Sequence, residues 1–107
     1  MKKILIIDDD PDICLMLTRY LTRKGLETKS AAAANAGIKE LKKDAVDLVI
    51  SDFKMPQMTG LELIPILKKI QPDLKIILIT GYADVRIAVK ALKLGASDYV
   101  TKPLYPD

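Results

Sequence analysis

Six polar residues that could carry out chemistry follow or end four short apolar runs of the sequence. They are Asp8, Asp9, Asp10, Asp52, Thr80 and Lys102. Carboxylates that share one site repel each other, and a hard divalent cation with oxygen ligands, Mg²⁺ or Mn²⁺, relieves that repulsion. A lysine and a hydroxyl beside such a cation suit phosphate oxygens, and a carboxylate can itself attack a phosphoryl group. These residue types therefore predict phosphoryl chemistry at a metal site, provided that the fold brings them together.

Apolar runs alternate along the chain with segments of helical periodicity. The predicted strands are Lys3–Asp8, Leu26–Ser30, Asp47–Asp52, Lys75–Thr80 and Ser97–Lys102, and the predicted helices are Pro11 to Gly25, Ala33–Lys43, Gly60–Gln71 and Val85–Leu94. Central strands that are apolar throughout, with helices between them, indicate a parallel α/β sheet. Ligands of such sheets bind at the carboxyl ends of the strands, where we expect the polar residues to converge.

Some of these residues also have a simpler structural interpretation. Asp10 precedes Pro11, and this pair is typical of a helix N-cap followed by the first helical turn, so we assign Asp10 to capping. Pro65 lies inside a predicted helix and is expected to kink or delay it. Cys14 is interpreted as a small apolar residue, since nothing near it in the sequence would activate a thiol.

The helix predicted over Val85–Leu94 carries two apolar stripes, and a helix seldom needs two unless a partner covers the second. We expect the first stripe to face the core and the second to form, with the last strand, a partner-binding surface. The first stripe is Val85, Ala88, Val89 and Leu92, and the second is Ile87, Ala91 and Leu94.

Length and composition exclude several other kinds of site. The chain has 107 residues, one cysteine and no histidine, which indicates one domain without a disulfide framework, a structural zinc site or a Ser–His nucleophile. A net charge of +3 is too small to argue for nucleic-acid binding. The apolar runs are too short for a membrane span or a signal peptide, so we expect a cytoplasmic protein with no membrane partner.

Four segments resemble, in order, the motifs of the response-regulator receiver domain of two-component signalling. They are ILIIDDDPDI, SDFKMPQMTGLEL, IILITGYAD and GASDYVTKPL, within a match that runs from Lys2 to Leu104. The segment AVKALKLGASDYVTKPL is similar to receivers of sigma-54-dependent activators of the nitrogen-regulation type. The resemblance implies a doubly wound, five-stranded parallel sheet of flavodoxin-like order 2-1-3-4-5.

The resemblance also implies a phosphoacceptor role. Asp52 would take a phosphoryl group from a sensor histidine kinase. Phosphorylation would then change a surface of the domain that controls a downstream output such as transcription regulation. Thr80 and Lys102 would contact the phosphoryl oxygens, and Tyr99 would be the switch aromatic residue. Such a module catalyses its own phosphorylation and dephosphorylation rather than acting as an enzyme on other substrates. Backbone N–H groups of Phe53 and Gly81 would help Thr80 and Lys102 to contact the phosphoryl oxygens.

A metal site is implied by the same resemblance. Asp9 would bind Mg²⁺ directly and Asp8 mainly through water, with Asp52 and the Lys54 carbonyl oxygen completing the protein ligands; Mn²⁺ is an alternative ion. The Lys102–Pro103 peptide bond would be cis.

The chain departs from the family pattern at its end, because the family has a further helix after the lysine-proline motif. We therefore expect residues 1–107 to be a receiver domain truncated at its C-terminal end. Without that helix, one face of the third to fifth strands would expose apolar side chains, and self-association through this face is expected.

Two other kinds of protein use related residues or a similar fold. A phosphohydrolase of the haloacid-dehalogenase type also uses an aspartyl phosphate and Mg²⁺, but it needs an acid two residues after the nucleophile, where this chain has Lys54. A mononucleotide-binding α/β domain needs a glycine-rich phosphate loop, and the sequence contains none.

Overall fold

The computed structural model describes residues 2–81 and 85–102, which form one sheet between two layers of helices. Within these ranges, none of the helices combines the length and the apolar content needed to cross a bilayer. The strands are β1 (Lys3–Ile7), β2 (Glu27–Ala31), β3 (Leu48–Asp52), β4 (Lys75–Thr80) and β5 (Asp98–Thr101), and the helices are α1 (Pro11–Arg23), α2 (Ala34–Lys43), α3 (Gly60–Ile70) and α4 (Val85–Leu94).

All five strands are parallel, in the order β2-β1-β3-β4-β5. This confirms the predicted fold. The order reverses at β1, which pairs with β2 on one side and with β3 on the other, and such a switch point opens a crevice at the carboxyl ends of the strands. Ile7 is in register with Ser51, so the residues that follow β1 lie beside the end of β3.

Each face of the sheet has its own apolar core, as expected for strands buried on both sides. Helix α1 covers one face with Leu17, which packs against Ile4, Ile6, Ile50 and Ile79. Helices α2, α3 and α4 cover the other face. On the α1 side, Leu48, Ile77 and Val100 remain only partly buried. The predicted self-association through this face stays a prediction.

About half of the predicted boundaries coincide with the structure, and nearly all of the others differ by one residue, because helix and strand ends are set by local hydrogen bonds. Asp10 caps α1 as predicted, accepting a hydrogen bond from the Asp12 N–H at 2.9 Å. Gly25 ends the turn after α1 with φ 85°, a value that favours glycine. Pro65 is exposed inside α3 and does not delay that helix, which begins at Gly60.

The prediction for the two stripes of α4 was wrong, because Ile87 and Ala91 of the second stripe face the core, although Leu94 of that stripe is 36% exposed. Ala91 is fully buried and Ile87 packs on the core, whereas Val85, Val89 and Leu92 are 76%, 44% and 50% exposed. The periodicity of a helix shows that two stripes exist, but contact with α3 and β5 decides which one faces inward. The small Ala91 side chain allows the helix to lie close to the core.

Candidate functional site

The parallel sheet brings the strand-end residues to one edge. Asp8 follows β1 directly, Asp52 ends β3, Thr80 ends β4 and Lys102 follows β5. Because β1, β3, β4 and β5 are consecutive neighbours in the sheet, their carboxyl ends line one crevice. The convergence predicted from the strand pattern is therefore present, although Asp8 and Lys102 are 94 positions apart in the sequence.

Three carboxylates form the centre of this crevice. One oxygen from each of Asp8, Asp9 and Asp52 lies within 4.8 Å of the other two. Asp8 and Asp52 are buried, with 3% and 8% exposure, and Asp9 is exposed. Asp10 points to the start of α1 instead, as its capping bond shows. An all-oxygen cluster of this kind has the donor chemistry that Mg²⁺ prefers.

Lys102 is the positive charge of the crevice. Its Nζ lies 3.4 Å from Asp8 Oδ2 and 3.4 Å from Asp52 Oδ1. One ammonium group facing three carboxylates leaves an excess of negative charge, which a divalent cation would neutralise. The residues present therefore fit a divalent cation bound by Asp8, Asp9 and Asp52.

Backbone N–H groups hold the two buried carboxylates in place. The Asp10 N–H donates to Asp8 Oδ1 at 2.9 Å, and the Phe53 N–H donates to Asp52 Oδ1 at 3.0 Å. The Phe53 N–H also donates to the Ile79 carbonyl oxygen at 2.8 Å, a bond between β3 and β4. If the Phe53 N–H also donated to a phosphoryl oxygen, that hydrogen bond would compete with the bond to the Ile79 carbonyl oxygen.

The environment shifts the pKa of Asp52 and of Lys102. Burial and the neighbouring charge of Asp8 raise the pKa of the Asp52 carboxyl, and Lys102 and the Phe53 N–H offset only part of that rise. Burial by itself would lower the pKa of Lys102, but the charges of Asp8 and Asp52 outweigh it, so the pKa is raised. Lys102 therefore stays protonated at neutral pH.

The remaining predicted site residues surround the crevice. Thr80 is buried at the end of β4, and its carbonyl oxygen accepts a bond from the Lys102 N–H at 2.7 Å. Tyr99 on β5 is half-buried and packs on the core of the α2–α4 side. Lys54, two residues after Asp52, and Gly81, directly after Thr80, are exposed. The predicted cis bond before Pro103 lies outside the described residues.

Cys14 lies next to the crevice and behaves as a structural residue. Its Sγ donates a weak hydrogen bond to the Asp8 carbonyl oxygen at 3.4 Å, and the side chain packs on the α1 core. Burial and the charge of Asp8 raise the pKa of the thiol. A thiol that resists ionisation is a poor nucleophile, which agrees with the sequence-based interpretation.

The sequence reasoning missed Gly60. An added β-carbon at this position would lie 2.8 Å from the Asp52 carbonyl oxygen and would also contact the Leu78 side chain. The available signal was the capping box, in which Thr59 and Glu62 exchange hydrogen bonds at the start of α3. A glycine directly after that cap indicates that the first helical turn approaches another backbone closely.

Known proteins with similar sequences and structures agree with this geometry. The family model described as "Response regulator receiver domain" matches residues 4–107. The DNA-binding transcriptional regulator NtrC of Proteus hauseri is 38% identical over 100 residues, which are 94% of this chain and 21% of that protein. The chain thus spans about a fifth of the length of this relative.

Solved structures give the same result. The response regulator TrrA of Thermotoga maritima, in complex with Mg²⁺-BeF, has a TM-score of 0.88 at 36% identity. The match covers 100% of this chain and 91% of the TrrA chain. The beryllofluoride-activated NtrC4 receiver domain dimer has a TM-score of 0.93 at 32% identity, covering 98% and 87%. With the sheet order and the match over nearly its whole length, the chain belongs to the response regulator receiver domain family.

Proposed function

We propose that this receiver domain accepts a phosphoryl group on Asp52 from the phosphohistidine of a sensor histidine kinase. The observation that carries the proposal is the position of the Asp52 carboxylate. It is buried at the end of β3, with oxygens of Asp8 and Asp9 within 4.8 Å and the Lys102 ammonium group at 3.4 Å. A nucleophile, a set of metal ligands and a cation for phosphoryl oxygens therefore meet at one point.

The transfer itself needs little from the protein beyond positioning and charge neutralisation. A carboxylate oxygen of Asp52 attacks phosphorus, and the bond from phosphorus to the imidazole nitrogen breaks. The nitrogen keeps the electron pair, and Asp52 becomes an acyl phosphate. Both contacts described above for Asp52 are made by Oδ1, so Oδ2 is the oxygen we assign to the attack.

Metal ligands and the lysine share the neutralisation of charge. Asp9, Asp52 and the Lys54 carbonyl oxygen would hold Mg²⁺ directly, and Asp8 would hold it mainly through water. Bound there, Mg²⁺ supplies positive charge to the phosphoryl oxygens. The Lys102 ammonium group offers a second positive charge next to Asp52. Mn²⁺ has similar ligand preferences and is expected to substitute.

Thr80 and Tyr99 are proposed to convert phosphorylation into a change of surface. Thr80 is buried at the end of β4, beside the site, and Tyr99 is half-buried on the adjacent strand β5. A phosphoryl group on Asp52 offers the Thr80 hydroxyl a strong acceptor. Movement of Thr80 toward that acceptor would change the space available to the Tyr99 ring, and so the surface formed by α4 and β5.

The change of surface is proposed to control a transcription output, since NtrC is a DNA-binding transcriptional regulator. Self-association is one route to that control, and the NtrC4 receiver neighbour is a dimer. The exposed stripe of α4, formed by Val85, Val89 and Leu92, is the apolar surface that we assign to such contacts. A cytoplasmic location remains the sequence-based prediction.

The alternative function is a phosphohydrolase that turns over many substrate molecules. Lys54 is exposed two residues after Asp52, where a phosphohydrolase would place an acid. We therefore propose a module that takes up one phosphoryl group and loses it by its own hydrolysis.

Acetyl phosphate, Mg²⁺ and intact mass spectrometry test the proposal. One phosphoryl group should add to the wild type and to the control Asp73→Asn, and none to Asp52→Asn. Asp73 is a suitable control because it is exposed and lies outside the crevice. Undiminished labelling of Asp52→Asn, or sustained hydrolysis of phosphate monoesters by the wild type, would contradict the proposal.

A further inference from the structure

Ser51 places a buried hydroxyl group in an apolar part of the sheet. It precedes Asp52 on β3 and is only 1% exposed. Its register partners on the two neighbouring strands are Ile7 of β1 and Leu78 of β4, which are both fully buried. A hydroxyl group that is removed from water costs free energy unless it finds a hydrogen-bond partner. The acceptor that it finds therefore indicates what this serine does.

The acceptor of the Ser51 hydroxyl is the backbone carbonyl oxygen of Asp52. Ser51 Oγ donates to this oxygen at 3.0 Å. A β-carbon on Gly60 would lie 2.8 Å from the same oxygen, so the start of α3 covers it from another side. A buried carbonyl group needs a hydrogen bond from the protein where water has little access. Ser51 supplies one at the residue that carries the proposed phosphoacceptor carboxylate.

This carbonyl group belongs to the same peptide unit as the Phe53 N–H. Because a peptide unit is planar, a hydrogen bond that holds its oxygen also fixes the direction of its N–H. The Phe53 N–H donates to Asp52 Oδ1 at 3.0 Å and to the Ile79 carbonyl oxygen at 2.8 Å. One end of the unit is thus held by Ser51, and the other end orients the Asp52 side chain.

We infer that Ser51 is a positioning residue for Asp52. By fixing the peptide plane, its hydroxyl keeps the Phe53 N–H directed at Oδ1 and leaves Oδ2 for the attack on phosphorus. The inference rests on the proposed function and deepens it. Without the hydroxyl, the peptide unit can tilt toward its remaining bond with Ile79, and the carboxylate loses its fixed orientation. A reacting group that is no longer held in an attacking geometry reacts more slowly.

Rates of phosphorylation by acetyl phosphate, followed by intact mass at saturating Mg²⁺, test the inference. Ser51→Ala should lower the maximal rate about fivefold, the size expected for the loss of one hydrogen bond. The acetyl phosphate concentration that gives half the maximal rate should change by less than about twofold, because no group that contacts the donor is removed. Ser51→Thr keeps the hydroxyl and should restore most of the wild-type rate.

Val49→Ala is the matched control for a loss of stability. Val49 is fully buried two residues earlier on β3, and successive alternation places it on the same face as Ser51. Removal of its methyl groups costs packing without breaking a hydrogen bond. Its maximal rate should therefore stay within about twofold of the wild-type rate. A larger loss of rate in Val49→Ala than in Ser51→Ala would assign the effect to stability and overturn the positioning role.

Amide hydrogen exchange at Phe53 measures the positioning directly. The ratio of the Phe53 exchange rate to the Ile50 exchange rate should rise about fivefold in Ser51→Ala and stay near the wild-type value in Val49→Ala. A wild-type maximal rate or an unchanged exchange ratio in Ser51→Ala would overturn the positioning role alone. A wild type that takes up no phosphoryl group on Asp52 would overturn the proposed function and this inference with it.

Discussion

The first residue of α3, Gly60, lies so close to Asp52 that a β-carbon on it would come within 2.8 Å of the Asp52 carbonyl oxygen. The Gly60 N–H donates to the Phe53 carbonyl oxygen at 2.7 Å, so α3 begins directly against the end of β3. The helix therefore sets the position of the peptide that carries the proposed phosphoacceptor.

Replacing Gly60 with alanine should destabilise the fold. The added methyl group forces α3 away from β3 or shifts the Asp52 backbone, and overpacking of this kind costs about 1–3 kcal/mol. Urea unfolding measures the loss. At Gly81 an added β-carbon meets nothing within 4 Å, so Gly81→Ala should change the free energy of unfolding by less than about 0.5 kcal/mol. Equal losses in the two variants would show that close packing at Gly60 is unimportant.

Asp9 and Asp10 should differ in their effect on Mg²⁺ affinity, although they are adjacent. An oxygen of Asp9 belongs to the acid cluster, whereas Asp10 caps α1. Asp9→Asn is expected to weaken Mg²⁺ binding at least about tenfold, a typical cost for losing one charged ligand interaction. Asp10→Ser keeps a capping oxygen and should bind Mg²⁺ nearly as well as the wild type. Similar losses in both variants would contradict this division of roles.

Stability should depend on pH through Asp52. Burial and the charge of Asp8 raise its pKa in the folded protein above the ordinary value of 3.8. Ionisation of Asp52 therefore costs stability, and this cost is present above the folded-state pKa and absent below the unfolded-state pKa. Without metal, Asp52→Asn should melt at a higher temperature than the wild type at neutral pH.

The advantage of Asp52→Asn should shrink as the pH falls through the raised pKa of Asp52 toward 3.8, because the wild-type carboxyl then becomes neutral as well. Melting curves in EDTA across this range provide the measurement, with Asp73→Asn as the control for removal of one acid. If Asp52→Asn were the less stable protein at neutral pH, attraction to Lys102 would outweigh burial, contrary to the direction of the pKa shift.

The two faces of α4 should respond differently to substitution. Val89 is 44% exposed, so Val89→Glu should change the free energy of unfolding by less than about 0.5 kcal/mol. Ala91 is fully buried, so Ala91→Val should cost about 1–3 kcal/mol through overpacking. Sedimentation with Mg²⁺ and beryllofluoride then tests the exposed face. Any self-association of the wild type should be lost in Val89→Glu and kept in Ala36→Glu, which makes the same change of charge on the exposed face of α2.

The sequence alone determined the elements and the convergence of the acids. A continuous apolar run such as Ile4–Ile7 followed by Asp8 indicates a buried strand with a polar end, because strand formation and burial depend on neighbouring residues along the chain. Repetition of this pattern with helices between the strands indicates a parallel sheet. Parallel strands share one carboxyl edge, so the meeting of Asp8, Asp52 and Lys102 follows from the pattern.

Only the tertiary structure decided three other features. It placed Ala91 rather than Val89 against the core, it required glycine at position 60, and it set Lys102 between Asp8 and Asp52. Each depends on distances between elements that are remote in sequence. Hydrophobic periodicity and local propensity carry no information about those distances. Close packing fixes those distances to within a methyl group, because interiors leave few voids into which a side chain could move.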